Sequence, residues 1–486
     1  MRKIAKGLIA LLIFSAGMSG CAFADSDTNS TEEVLPADDH LSNLTAEERA
    51  KLEADRQVEQ ARLAAERQAM LEASLMHEIG ERPLQFKALL AQLYGDNHYD
   101  ALWTDKAAEK RFLRDYAALV ASGISPRSAL SLEAISSAET EGGLVYDVLL
   151  TDAFLDYLYY STNVAQKAQA WLYARHAYKP KQPEIEIVER WLDAVKNNEN
   201  NNFIYSLSTN NSLYLQTLQV LPEMISETGL SDIGKKLALN IQRLRVIPDF
   251  YNGIFVNIPS YQLNYYRDGE LALESRVIVG KGTRRTPVMY SKLSNVVVNP
   301  PWNAPPRLVN EDIVPKLRQD PGYAAAHNYA ILDSKGNQID PYSIDWNTIG
   351  KRFPYRIRQA AGDSALGHYK FNMPSSDAIY LHDTPNRGLF NKKGRALSSG
   401  CVRVEKSDQL ASILLGEAGW SNEKRRNVVS SKRTTSVPIQ SDNPVFLYYV
   451  TAWIDNGELH TLPDIYDYDV NSDTAHIDWR LIKKYL

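Results

Sequence analysis

The chain has 486 residues, 44% of them hydrophobic and 10% aromatic, a composition for roughly two to four folded units and against global disorder. Its formal charge of -5 supplies no basic excess for contacts to phosphate, which excludes sequence-independent binding of nucleic acid. Only two cysteines occur, Cys21 and Cys401, which excludes a disulfide-dense scaffold and any site built on several thiolates.

Residues 1–24 open with Arg2, Lys3 and Lys6, continue through an apolar run from Gly7 to Gly17, and end in small residues. That layout predicts a secretory signal peptide, too short to span a bilayer. Two processing readings stand side by side: Ala22-Phe23-Ala24 fits cleavage before Asp25, and Met18-Ser19-Gly20-Cys21 has the form of a lipobox. Either predicts a place outside the cytoplasm, with membrane attachment only if Cys21 is lipidated. Either also leaves Cys401 as the single thiol available for chemistry.

Residues 25–82 are read as a polar linker and a charged helix. No aromatic residue occurs between 25 and 85, so little of this segment can be buried. Thr45-x-x-Glu48 is a capping-box signature ahead of a run rich in Ala, Leu, Glu, Arg and Gln. The helix serves as a stalk or coiled-coil partner, or it lies along the next domain.

Residues 83–247 carry helical apolar spacing, as in Leu144, Val148, Phe154 and Leu158, broken by loop signals at Gly123-Ile124-Ser125-Pro126 and at 197–202. They are expected to form a helical scaffold domain, with Tyr157, Tyr159, Tyr160 and Trp171 in its core. After Pro248 the period changes to two. Residues 253–258 alternate, 261–266 is strand-like, and Asp268-Gly269 is a hairpin turn leading into 271–279, flanked by Arg267 and Glu270. Further strands are expected at 295–299, 378–381, 402–404 and 445–452, and helical turns at 308–317 and 408–418.

The chemistry-bearing block is Ala396-Leu397-Ser398-Ser399-Gly400-Cys401-Val402-Arg403-Val404. Gly400 permits a tight backbone just before the sulfur, and the alternation after it places Cys401 at a strand entrance. A free thiol ionises near pH 8.5, so a nucleophilic cysteine needs a neighbouring base or positive charge. His382, nineteen residues upstream at the end of an expected strand, is the candidate base. On these residues alone, a buried and inert thiol remains the other reading.

Ordered motifs go further. Val277-Ile278-Val279-Gly280, Thr286-Pro287, Ala365-Leu366-Gly367-x-Tyr369-Lys370-Phe371, Ile379-Tyr380-Leu381-His382-Asp383-Thr384 and Ser398-Ser399-Gly400-Cys401-Val402-Arg403 follow one another along the chain. In this order, together with Asn299-Pro300-Pro301-Trp302-Asn303, the chain resembles the large periplasmic L,D-transpeptidases of Gram-negative bacteria. The resemblance implies an α+β fold: the helical scaffold, then a β-rich catalytic domain at 248–456 with a cap inserted at about 304–361, then a C-terminal extension at 457–486.

It further implies an enzyme of the peptidoglycan wall, without cofactor or metal, acting on tetrapeptide stems. Cys401 would be the nucleophile and His382 the general base and acid, oriented by a neighbouring backbone carbonyl rather than by Asp383. Gly400 would contribute a backbone donor to the oxyanion, with Tyr380, Ser399, Arg403 and Trp302 contacting substrate; a structural role for Arg403 stands beside the substrate one. The 304–361 segment would close over the donor stem. Carbapenems acylate the family's cysteine, and the helical domain is a candidate surface for other wall synthases. A hydrolase, an enzyme attaching lipoprotein to the wall, and a non-catalytic wall-binding scaffold are the rival readings.

Two departures stand out. Ser399 occupies a position that is often His in the wider family, and 207–237 is too short for the usual peptidoglycan-binding module. Two decoys are set aside: Gly280-Lys281-Gly282-Thr283 fails the phosphate-loop pattern, and Asp467-x-Asp469-x-Asn471-x-Asp473 lacks the Gly and bidentate Glu of a calcium loop.

Overall fold

The computed structural model describes residues 45–174, 178–226, 229–376, 378–440, 442–469, 474 and 477–486. The expected signal peptide and the linker up to residue 44 lie outside the described residues. Residues 45–67 belong to one compact unit and residues from Gln68 onward to a second. Helix α1 (Ala46–Ile79) starts with the expected capping box, Thr45 N–H donating to Glu48 Oε2 at 2.8 Å and Glu48 N–H to Thr45 Oγ1 at 3.3 Å. Within residues 45–67 the helix surface carries exposed charge, including Arg62 between Glu59 and Glu66. No helix among the described residues is long and apolar enough to cross a membrane.

The helical part of the second unit comprises α2 (Lys87–Asp96), α3 (Lys106–Ala121), α4 (Pro126–Ala138), α5 (Gly143–Leu172), α6 (Ile185–Lys196), α7 (Asn200–Ser206), α8 (Ser212–Val220), the two-residue strands β1 (Ile225–Ser226) and β2 (Gly229–Leu230), and α9 (Asp232–Leu244). Local chemistry starts several of these: Asp105, Ser125 and Asn211 accept backbone N–H groups at the starts of α3, α4 and α8. Helix α5 is apolar on most of its faces and runs through the core, with Tyr157, Tyr160 and Trp171 buried as the spacing predicts. It also buries three carboxylates, and each is satisfied. Asp147 accepts from the N–H groups of Leu102 and Trp103, Asp152 from those of Gln85 and Phe86, and Asp156 from Tyr116, Ser128 and Tyr178 hydroxyls. Burial pushes the Asp152 carboxyl up to about 6, against the pull of its two backbone donors.

The β-rich part begins with β3 (Gly253–Asn257), β4 (Gln262–Arg267) and β5 (Glu270–Gly280). Asp268 and Gly269 take φ of 50° and 82°, the turn that the Asp-Gly pair predicts between β4 and β5. The Arg267 guanidinium reaches Glu417 rather than the flanking Glu270. Strands β6 (Met289–Lys292) and β7 (Asn295–Val298) follow.

An insertion then forms its own small layer. Strand β8 (Trp302–Asn303) leads into α10 (Pro306–Leu308), a π-helical turn Val309–Ile313, α11 (Val314–Gln319), α12 (Tyr323–Ala326) and strands β9 (Ala330–Leu332), β10 (Gln338–Ile339) and β11 (Arg356–Gln359). Its four strands pair in the order β10-β9-β11-β8, and Val309, Leu317, Ile331, Trp346, Phe353 and Ile357 make a core separate from the main one.

The chain returns as β12 (Tyr369–Asn372), β13 (Leu381–His382), β14 (Ala396–Ser398), β15 (Val402–Val404), α13 (Ser407–Glu417), α14 (Asn422–Ser430), β16 (Thr435–Pro438) and β17 (Pro444–Tyr448). The main sheet runs β16-β7-β12-β13-β15-β5-β4-β3-β17-β6, with β14 on β5. Two strands are shorter than alternation predicts. Ala378 takes φ of 53°, so pairing starts only at Leu381. Strand β17 ends at Tyr448 because side chains bind the backbone beyond it: Asn257 exchanges two 3.0 Å bonds with Val450, and Asn240 accepts from Thr451 N–H at 2.9 Å.

Residues after 456 complete the body. Strands β18 (Ala452–Asp455) and β19 (Glu458–Thr461) form a hairpin, Tyr466 and Tyr468 are buried, and α15 (Trp479–Tyr485) packs on α3. Arg243 of α9, wholly buried, donates to Asp469 Oδ1 at 2.6 Å and to the Tyr468 carbonyl at 2.5 Å, under the Tyr173 and Tyr449 rings. The helical and β-rich parts thus share paired polar groups as well as one hydrophobic core.

Candidate active site

Strand register brings the predicted residues together. Lys370 of β12 pairs with His382 of β13, which pairs in turn with Arg403 of β15. Cross-strand partners share a face, and so do residues two apart along a strand. Tyr380 and Cys401 immediately precede β13 and β15; the Tyr380 ring lies 5.7 Å from the His382 ring, and Tyr380, Lys370 and Arg403 all act on the Cys401 thiol.

The loop bearing Cys401 is held from behind. Gly400 takes φ of +124°, and a Cβ there would sit 3.2 Å from Ile379 Cδ1, so glycine is needed. Thr286 Oγ1 accepts from Gly280 N–H at 2.8 Å and donates to the Gly400 carbonyl at 2.7 Å. Tyr466 donates to the Gly280 carbonyl at 2.5 Å and accepts from Thr286 N–H at 3.1 Å. Gly280 lies where a Cβ would fall 2.1 Å from the Arg284 carbonyl. Its glycine-rich turn thus serves the cysteine loop, with no role in phosphate binding required.

Ser398 Oγ donates to the Cys401 carbonyl at 2.6 Å and accepts from Gly400 N–H at 3.1 Å. The Gly400 N–H expected as an oxyanion donor is therefore already engaged, whereas the Cys401 N–H has no acceptor among the described residues. Ser399 Oγ accepts from Arg284 Nη1 at 3.1 Å, and Arg284 also binds Glu311 at 2.6 Å and both carboxylate oxygens of Asp312. Ser399 is thus tied to the inserted layer through a nearly buried arginine.

Cys401 is half-buried and free, its S–H donating to the Ala378 carbonyl at 3.9 Å rather than to His382. His382 is buried, and its Nδ1 lies 2.6 Å from the Asp383 carbonyl. A carbonyl can only accept, so Nδ1 carries the proton and Nε2 keeps its lone pair. The Asp383 carboxylate points into other bonds, accepting from His368 N–H, Arg387 and Ser407 at 2.7–2.9 Å. Gly367, at φ +61°, makes room for it; a Cβ there would sit 2.3 Å from Asp383 Oδ2.

Burial pushes His382 down to about 3, with Arg403 and then Lys370 adding repulsion while the Asp383 carbonyl opposes them. Burial likewise raises the Cys401 thiol above its ordinary value, against lowering by Tyr380, Lys370 and Arg403. The resting pair is a neutral thiol and a neutral imidazole. Such a pair can pass a proton to Nε2 as the sulfur attacks an electrophilic carbonyl.

Tyr380 neighbours both the Cys401 sulfur and the Trp302 indole, and Lys370 Nζ sits 4.1 Å above its ring. Trp302 packs against the insertion's core, 6.2 Å from the Tyr329 ring. Thr286 and Lys370 stand in the ordered motifs without an assigned role, Lys370 as a cation between the apolar Tyr369 and Phe371 of a buried strand; Arg284 and Tyr466 leave no trace in the sequence.

No group of metal-binding side chains occurs among the described residues. In the calcium-like run, Asp469 is taken by Arg243 and Thr451, and Asn471 and Asp473 lie outside the described residues.

Comparison with known proteins adds the following. The YkuD family model, described as the L,D-transpeptidase catalytic domain, matches residues 251–439, and a model described as a scaffold domain matches residues 88–221. A Haemophilus influenzae protein named "Putative L,D-transpeptidase" is 62% identical over 475 residues, 98% of this chain and 97% of that one. Among solved structures, the E. faecium L,D-transpeptidase catalytic domain acylated by ertapenem is 14% identical over 40% of this chain and 95% of that chain, with a TM-score of 0.20. The Mycobacterium smegmatis L,D-transpeptidase is 11% identical over 40% of this chain and 58% of that chain, with the same TM-score. Scores that low carry no argument here.

Proposed function

The chain belongs to the L,D-transpeptidase family, and from that premise we propose that it cross-links peptidoglycan stems through Cys401. The donor is a tetrapeptide stem, and the bond attacked follows the L-centre of its diaminopimelate. The observation carrying this reading is the buried His382, on the strand paired with the one that follows Cys401, with Nδ1–H held by the Asp383 carbonyl so that Nε2 is the basic atom.

The steps follow from that arrangement. The thiol leaves the Ala378 carbonyl, gives its proton to His382 Nε2 and attacks the carbonyl carbon. The Cys401 N–H, unpaired among the described residues and beside the reacting carbon, supports the oxyanion, with the Tyr380 hydroxyl, a neighbour of the sulfur, as a side-chain donor. A pre-organised donor of this kind is worth about 3–4 kcal/mol. Gly400 shapes the loop rather than donating, since Ser398 already takes its N–H. The imidazolium then protonates the departing amine of D-alanine, leaving a thioester on Cys401. An acceptor amine from a second stem loses its proton to Nε2, attacks the thioester and releases the thiol, giving a 3-3 cross-link.

Trp302 and the insertion take the part of a cap over the donor stem. The tie from Arg284 to Glu311 and Asp312 on the cap and to Ser399 beside the nucleophile supports this. Excluding water there favours aminolysis over hydrolysis. Export directed by residues 1–24 would bring the enzyme to its substrate in the periplasm. Analysis of muropeptides after incubation with wall material tests the proposal. Dimers joined between two diaminopimelate residues are expected; shortened stems alone, or only released lipoprotein, would overturn it.

A further inference from the structure

Lys370 and Arg403 flank His382 on neighbouring strands, and the charge of each reaches the Cys401 sulfur. Both are half-buried, and neither meets a carboxylate among the described residues. Arg403 Nε is buried with no hydrogen-bond partner among the described residues. Among the other well-buried arginines, Arg243 holds Asp469, Arg284 holds Asp312 and Arg425 holds Asp408, while Arg245 meets no carboxylate among the described residues but donates to Tyr157, Ser161 and the Leu207 carbonyl. Arg245 Nη1 and Arg425 Nε are unpaired among the described residues too, so it is the two adjacent cations with no anion, costly to keep half-buried, that mark a place for an anionic group.

The covalent geometry of the donor says which group that is. In the proposed reaction the leaving residue is a single D-amino acid, and its carboxylate carbon is three bonds from the carbonyl carbon under attack. At ordinary bond lengths that is roughly 3–4 Å. When Cys401 Sγ touches the scissile carbon, the terminal carboxylate is thereby held close to the sulfur, in the field of Lys370 and Arg403, the two cations that act on it. The other carboxylate of diaminopimelate is at the far end of a flexible side chain and is not so constrained.

We propose that Lys370 and Arg403 form an anion subsite that holds the terminal carboxylate of the leaving D-amino acid and so selects donor stems whose scissile bond is the last in the chain. The inference rests on the transpeptidase reading above and deepens it by assigning the residues that read the stem's length. A pentapeptide stem presents an uncharged amide at that position, leaving both cations unpaired. Seating the carboxylate also offsets the positive field at His382, so the base strengthens once the correct donor is bound. Lys370, stacked on Tyr380, is placed to register the carboxylate and the tyrosine together.

The test uses the full chain, a tetrapeptide donor ending in D-alanine, the same donor ending in D-alaninamide, and a third amidated only at the side-chain carboxylate of diaminopimelate. The measured quantity is kcat/KM with excess acceptor amine. Wild type is expected to favour the terminal acid over the terminal amide by about 10–100-fold, the range for losing a charged hydrogen-bond partner. Lys370→Gln and Arg403→Gln each shrink that ratio by about tenfold or more, and Lys370→Arg restores most of it. Urea midpoints and alkylation of Cys401 by iodoacetamide report that each variant is folded. An equal fall for acid and amide donors would mean a merely structural role and would overturn the subsite. Discrimination that follows the diaminopimelate side-chain carboxylate would overturn it as well. Turnover of none of the donors by wild type would overturn the transpeptidase reading and the subsite with it, whereas turnover without discrimination would remove the subsite alone.

Discussion

Replacing Thr286 by Val keeps the shape of a wholly buried side chain and removes its hydroxyl. Two bonds disappear, the 2.8 Å bond from Gly280 N–H and the 2.7 Å bond to the Gly400 carbonyl. Each orphaned backbone group costs about 1–3 kcal/mol, and the added methyl returns ~1 kcal/mol, so the net loss is about 1–5 kcal/mol. Thr286→Ser keeps both bonds, gives up one buried methyl and should lose only ~1 kcal/mol. Urea unfolding followed by fluorescence measures both, provided the slope with denaturant is unchanged so that midpoints report stability. The same change releases the Gly400 carbonyl, the last fixed point before Cys401, so acylation of Cys401 should slow more in Thr286→Val than in Thr286→Ser. A Thr286→Val protein as stable as Thr286→Ser, with acylation unchanged, would refute the claim that this hydroxyl positions the cysteine loop.

Other expectations concern the dyad and the cap. Because burial, Arg403 and Lys370 hold His382 at about 3 in the fold against an ordinary 6.5, the unfolded chain binds its proton more readily. Stability from this group is therefore complete above pH 6.5 and lost as pH falls toward 3, and a pH series of urea midpoints should show that decline. The acid limb of kcat/KM should correspondingly lie below pH 5; a limb between 6 and 7 would contradict the assigned environment. Gly367→Ala drives a Cβ into Asp383 at a positive φ and should cost about 2 kcal/mol or more, whereas Gly388→Ala, which meets open space, should stay within about 0.5 kcal/mol by the same unfolding assay. Arg284→Ala unties Ser399 from Glu311 and Asp312, and the proportion of hydrolysed to cross-linked product in a muropeptide profile should rise several-fold.

What the sequence made legible was local. The capping box at Thr45, the Asp268-Gly269 turn, and the Gly400-Cys401 junction before an alternating strand each act through near neighbours, and each sits where its chemistry predicts. What it concealed depends on distant partners. Asp147, Asp152 and Asp156 are acidic residues on a helix, a pattern usually solvated, yet each is buried because loops and helices from elsewhere bring N–H and O–H donors. Strand 445–452 is cut short by Asn257 and Asn240, side chains some two hundred residues away. The same holds in the candidate site. Cys401 and His382 could be picked out by residue type and order, while Thr286, Tyr466 and Arg284 act only through tertiary contacts. Gly400, expected to donate its N–H to an oxyanion, turns that N–H toward Ser398, an orientation that composition and spacing do not encode.

The central claim, that Cys401 is the acyl-accepting nucleophile, is tested most directly by intact-protein mass spectrometry after incubation with a carbapenem. The wild-type chain is predicted to gain the mass of one acyl adduct, mapped by proteolysis to the peptide containing Cys401, and the Cys401→Ala chain to gain none. An adduct of equal yield in Cys401→Ala would contradict the account.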